Sequence, residues 1–128
     1  MKIIISVFFS MLSLFLVTSQ AKAQNVNITE FYGVKEAENV YSSCGYMANL
    51  QISFYANYFD YYEVEKSTNY LGPFTAIGGQ EGGTRTSDVV YYSFTWQDYN
   101  FCQSAYYRIK FYFLDHSYRY SNTIQVVF

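Results

Sequence analysis

The stretch AYYRIKFYFLDHSYRYSNTIQVVF, Ala105–Phe128, decides the fold. Side chains alternate in character over its first nine residues, break at the polar turn Asp115-His116-Ser117, then alternate again to the end. A repeat of two is the signature of half-buried β-strands, because successive side chains leave a strand on opposite faces. The stretch therefore reads as two consecutive strands, Ala105–Phe113 and Tyr118–Phe128, closing an antiparallel sheet.

Working back along the chain, the same period recurs. In NLQISFYA (Asn49–Ala56), Leu50, Ile52 and Phe54 share one face and Gln51, Ser53 and Tyr55 the other. In YYEVEKS (Tyr61–Ser67), Tyr62 and Val64 point inward and Glu63 and Glu65 outward. Val26–Tyr32, ended by Gly33, Phe74–Ile77 and Asp88–Trp96 complete a set of seven short strands, and no segment shows a helical period with caps. Gly78–Ser87 holds four of the seven glycines and reads as a mobile loop. It is not a phosphate cradle, which needs a helix opening directly after the glycines; here another strand follows. Seven strands at this spacing predict an all-β antiparallel sandwich, with a small barrel as the other closed solution.

The N-terminus reads as an export signal. Lys2 precedes an apolar run from Ile3 to Val17, and Ala21-Lys22-Ala23 supplies the small-x-small cleavage pattern. The run is about 15 residues, short of the ~20 that span a bilayer as a helix. Residues 1–23 are thus expected to be removed, leaving one domain of residues 24–128 that does not span the membrane and works in the periplasm, at the cell surface or outside the cell. Loss of Lys2 and Lys22 leaves 6 basic against 10 acidic residues, a net charge of −4. Neutralising phosphates needs clustered cations, so nucleic acid is not an expected partner. A quarter of the remaining residues are aromatic, 16 of them Tyr. Tyrosine suits strands and also suits surfaces that are half apolar and half wet.

Cys44 and Cys102 are an even pair in a small exported chain, which favours a disulfide. With His116 the only histidine, no metal-ligand spacing is present and no cofactor is expected. No nucleophile, base and acid occur in a context that suggests catalysis.

Taken in order, NLQISFYA, YYEVEKS, FTAIG, YYSFT, YYRIKF and YSNTIQVVF resemble a fibronectin type III-like domain of exported bacterial proteins, over roughly Val26–Phe128. YYRIK followed by the Tyr-Ser-Asn strand is the most specific part. The chain departs from the family's pattern at Phe54, where Trp is usual, at Trp96, where Asp is common, and at Asp115-His116-Ser117, which lacks the usual turn glycine. The first two departures together could be a core exchange, one indole moved across the sandwich. The resemblance implies that Cys44 and Cys102 lie in connections at the same end of the sandwich. It also implies that Tyr61–Ser67 and Ala105–Phe113 are neighbours, so that Glu63 and Glu65 face Arg108 and Lys110. Tyr107, or Tyr106, would then fill the buried tyrosine-corner position.

Tyr61, Tyr106, Arg108, Lys110 and Tyr112 are the expected binding residues, sharing one outward face. Cross-strand charge pairing accounts for the glutamates better than a glycosidase pair, which needs one acid desolvated in a cleft. The expected function is a non-enzymatic exported module that recognises a protein or glycan through this aromatic face or a loop end. The other readings are an assembly protein acting through edge-strand pairing, a glycan-active enzyme and a small outer-membrane barrel suggested by the aromatic C-terminus.

Overall fold

A computed structural model describes residues 24–128; the export signal expected over residues 1–23 lies outside the described residues. The domain is an all-β sandwich of two antiparallel sheets built from eight strands: β1 (Asn25–Ala37), β2 (Tyr46–Asn57), β3 (Phe59–Ser67), β4 (Thr75–Glu81), β5 (Val90–Asp98), β6 (Ala105–Phe113), β7 (Tyr118–Tyr120) and β8 (Ile124–Val126). One sheet has the order β1-β2-β5. In the other the order is β4-β3-β6, with β7 and β8 following each other along the far side of β6. The sheets stay open at their edges, so the chain does not close into a barrel.

The core comes from the period-2 pattern on the two central strands. Ala48, Leu50, Ile52, Phe54 and Ala56 of β2 face Ala105, Tyr107, Ile109 and Phe111 of β6, and all are buried. Phe54 is the hub. Its ring lies edge-on to Phe111 at 4.9 Å and Phe59 at 5.4 Å, and stacks on Tyr92 at 5.1 Å. Such pairs add about 0.5–1.5 kcal/mol each beyond area burial.

Trp96 reaches from β5 across the open side of the sandwich onto Gly78 of β4. The indole therefore packs at the rim, while Phe54 fills the centre.

The strands differ from the sequence expectation in three places. β1 runs through Gly33 to Ala37, because Gly33 faces inward where a Cβ would sit 2.6 Å from both Leu50 and Val126. A packing requirement, not a turn, explains that glycine. Gly78 and Gly79 belong to β4 and not to a loop: a Cβ at Gly78 would strike Trp96, and one at Gly79 the backbone of Tyr62. The segment after β4 is held to the start of β3 by backbone bonds from Gly83 to Asp60, from Phe59 to Thr84 and from Tyr58 to Thr86. The last strand is split. Ser121 donates its N–H to the Ile109 carbonyl, while its hydroxyl replaces its carbonyl as acceptor for the Ile109 N–H, both at 2.8 Å. The ladder breaks there, giving β7 and β8.

The hairpin joining β6 to β7 works without glycine because His116 adopts φ 70°, a left-handed conformation in which histidine is one of the commoner non-glycine residues. Asp115 accepts hydrogen bonds from the Ser117 N–H at 3.0 Å and hydroxyl at 2.6 Å. The Ser117 hydroxyl contributes most to holding its carboxyl down at about 2.

The Cys44–Cys102 disulfide joins the β1–β2 and β5–β6 connections at one end, with Cα atoms 5.8 Å apart. A disulfide fits an oxidising compartment. Tyr107, at the start of β6, is fully buried. Its hydroxyl donates to Asp98 Oδ2 at 2.6 Å, and Lys66 Nζ pairs with the same oxygen at 2.6 Å. The Asn100 N–H bonds Asp98 Oδ1, and Lys66 also donates to the Asn100 carbonyl. A nearly buried carboxylate is thereby satisfied by three partners and ties together the ends of β3, β5 and β6.

A candidate binding face on the five-stranded sheet

The outward face of the β4-β3-β6-β7 sheet is ordered in rows by strand register. Tyr61, Tyr112 and Tyr118 lie opposite one another on β3, β6 and β7; Glu63, Lys110 and Tyr120 form the next row, and Glu65 with Arg108 the one after. All five residues expected from the sequence, Tyr61, Tyr106, Arg108, Lys110 and Tyr112, share this face. The register is fixed from behind, because slipping β6 by one residue would turn Tyr107, Ile109 and Phe111 out of the core.

The rings and cations of the face are interleaved. Tyr61 stacks on Tyr112 with centroids 4.3 Å apart and planes at 14°. Tyr112 meets Tyr118 at 6.3 Å, and Tyr118 meets Tyr120 edge-on at 5.4 Å. Lys110 Nζ lies 4.2 Å from the Tyr118 ring centre and 4.8 Å from that of Tyr112. The Arg108 guanidinium lies between Phe74 at 4.1 Å and Tyr120 at 3.8 Å, while its Nε donates to Glu65 at 2.7 Å. Tyr106 carries the contact onward to Tyr70, at 5.7 Å, in the β3–β4 connection.

Two consequences follow. The hydroxyl of Tyr112 chiefly, with smaller contributions from Tyr120 and Glu65, holds the Lys110 ammonium above its ordinary pKa. For Tyr112, the ammonium of Lys110 pulls the hydroxyl down, but desolvation and Glu63 outweigh it and the net shift is upward. More important for recognition, many ring faces are turned to one another or to a cation. Tyr118 and Tyr120 stay 53% and 43% exposed, so the surface offers tyrosine rings and hydroxyls beside two cations.

Sequence reasoning missed Tyr118, Tyr120, Phe74 and Tyr70. The first two could have been found by folding the last strand back on β6, since the short turn fixes Tyr112 opposite Tyr118. Tyr70 lies in the β3–β4 connection, where no periodic signal exists, and Phe74, expected to open a short strand, sits just before β4.

The disulfide-bearing end carries a second cluster of exposed apolar side chains. Leu71 is 91% exposed, Val40 79% and Tyr41 73%. Tyr41 contacts Tyr99 of the β5–β6 connection at 5.4 Å. Glu38 accepts the N–H groups of Val40 and Tyr41 and so fixes the β1–β2 connection. A shallow depression of about 290 Å³ lies nearby, lined by Lys66, Ser67, Thr68, Pro73, Thr75 and Ile77.

Compared with known proteins, the chain matches no family model, no curated protein and no solved structure. Among the described residues no helix is long and apolar enough to cross a membrane, and no cluster of His, Cys, Asp and Glu could hold a metal ion.

Proposed function

We propose that the chain is an exported, non-enzymatic binding module of the fibronectin type III-like class, and that it grips a protein partner with the tyrosine face of its five-stranded sheet. The strand orders β1-β2-β5 and β4-β3-β6-β7 are those expected of such a domain and support the class assignment. The observation that carries the functional reading is the unbroken series of ring and cation contacts from Tyr61 through Tyr112, Lys110, Tyr118, Tyr120 and Arg108 to Phe74. Rigid tyrosines contribute large contact area at small entropic cost and can hydrogen-bond through their hydroxyls, as in antibody binding loops. Arginine and tyrosine are also the residues most often found to dominate binding energy. A sugar platform would need free ring faces for stacking. Here Tyr61 and Tyr112 stack on each other and two cations lie among the rings, which favours a protein over a glycan.

The test compares wild-type protein with Lys110→Glu/Tyr118→Ala/Tyr120→Ala on a glycan array and against fractionated envelope proteins. The reading expects a discrete protein bound by the wild type at least about tenfold better than by a still-folded variant, equivalent to roughly 1.4 kcal/mol. Selective glycan binding that depends on the same residues would replace the protein reading. Equal binding by wild type and variant would remove the face from consideration.

A further inference from the structure

The sandwich leaves edges along β1, β4, β5 and the β7–β8 side, and they are not alike. β1 is bulged between Ile28 and Glu30 and carries Glu30, Lys35 and Glu36. β4 follows Pro73, shifts register against β3 and contains two glycines. β7 and β8 are three residues each and are separated by the break at Ser121. Charges, bulges, prolines and short strands are the usual means of preventing edge-to-edge pairing. β5 has none of them except Asp98 at its end, which is paired with Lys66. Its nine residues, VYYSFTWQD, pair with β2 in unbroken register from Val90 to Asp98, contain no Pro, Gly, Lys or Arg, and have no second neighbour strand.

We infer that the free edge of β5 pairs antiparallel with β5 of a second copy, joining two three-stranded sheets into one of six. Two observations point to a like copy. The first is self-complementarity. A two-fold axis through Phe94 pairs all nine residues and sets Ser93 opposite Thr95, Tyr91 opposite Gln97, and Tyr92 opposite Trp96. Ser93 and Thr95 already belong to a polar network on the outer face. Gln51 donates to Ser93 Oγ at 3.0 Å, Thr95 donates to Gln51 Oε1 at 3.1 Å, and Ser93 meets Ser53 at 3.0 Å. The second copy extends that network with hydroxyl pairs, which are favourable across a ladder. No like charges oppose, since Asp98 lies opposite Val90 and is neutralised by Lys66.

The second observation is incomplete cover. Tyr92, Phe94 and Trp96 point inward yet stay only partly buried, as do Val26, Ile28 and Phe31 on β1 and Ile77 on β4, whereas their counterparts on the central strands β2 and β6 are fully buried; on β5 the partly buried set is three large rings. An added strand shields their open flank and brings Phe94 against Phe94. The surface belongs to the opposite sheet from the tyrosine face, so a dimer presents two such faces and multiplies weak contacts.

The experiment is sedimentation equilibrium on the exported, disulfide-intact protein, with Ser93→Lys/Thr95→Lys and Ser93→Lys/Thr95→Glu beside it. The wild type is expected to dimerise. The Lys/Lys variant sets like charges opposite each other twice and weakens the dimer at least about tenfold, while the Lys/Glu variant restores it. Hydrogen exchange supplies a readout that is independent of the substitutions. Amides of Val90–Asp98 in the wild type gain protection as concentration rises, and those of β1 do not. A wild type that stays monomeric to about 1 mM, a monomer–dimer equilibrium indifferent to both variants, or a foreign peptide found seated on β5 overturns the inference.

Discussion

Two buried tyrosines, Tyr62 and Tyr107, show how a single hydroxyl can work for or against the fold. Tyr107 gives its proton to Asp98, whereas the Tyr62 hydroxyl is buried without a partner. Tyr62→Phe is therefore expected to stabilise the domain by about 1 kcal/mol, by deleting an unsatisfied polar group. Tyr107→Phe should cost about 1.5–3 kcal/mol, because it removes a hydrogen bond to a carboxylate and leaves Asp98 short of a donor. Chemical denaturation of the two variants checks both signs. Burial also pushes the Tyr62 hydroxyl up to about 12, and burial followed by Asp98 pushes Tyr107 higher still. A raised folded-state value means stability that is complete below the unfolded value, about 10, and lost as pH rises through the folded one. Denaturant midpoints should therefore fall between about pH 10 and 12, and fall less steeply in Tyr62→Phe. Of these residue details, the inward position of Tyr62 could be read in the sequence, and that of Tyr107 only as an alternative to Tyr106. The Tyr107 partner Asp98 and the orphaned Tyr62 hydroxyl depend on how strands distant in the chain meet.

At the scale of elements, alternation made β2, β3, β5 and β6 legible, since each has one buried and one wet face and a slip would expose its whole apolar set. The cross-strand pairing of Glu65 with Arg108 followed from the family resemblance and is present at 2.7 Å. Glycine was the misleading signal. Gly33, Gly78 and Gly79 read as punctuation but lie inside strands, where a neighbouring side chain or backbone leaves no room for a Cβ. That requirement belongs to tertiary packing and leaves no local trace. Gly78→Ala should destabilise by about 1–3 kcal/mol through overpacking against Trp96. Combining it with Trp96→Leu should recover part of that loss, and a double-mutant cycle measured by thermal unfolding reports the coupling. If the two effects simply add, the indole does not rest on Gly78 as described.

The whole molecule is a small domain stapled at one end, with both sheets open at their edges. The Cys44–Cys102 bridge closes a 58-residue separation, which in the chain-entropy model contributes about 4 kcal/mol. Cys44→Ser/Cys102→Ser should lower stability by a comparable amount in urea unfolding, a large fraction of what a domain of this size has. The tyrosine face lies on the sheet containing β6, and the expected residues were found together there because β6 alternates so cleanly. The apolar loop end was not foreseen residue by residue, since Val40, Tyr41 and Leu71 come from connections without a period. The proposed role requires the outward face of the five-stranded sheet to meet a protein partner. The most direct test places a photo-crosslinking amino acid at Tyr118 on that face, and in a second protein at Tyr55 on the opposite sheet, and irradiates the producing cells. A discrete protein adduct is expected from position 118, abolished by Lys110→Glu, with no such adduct from position 55. The same adducts from both positions, or none from position 118, would contradict that role.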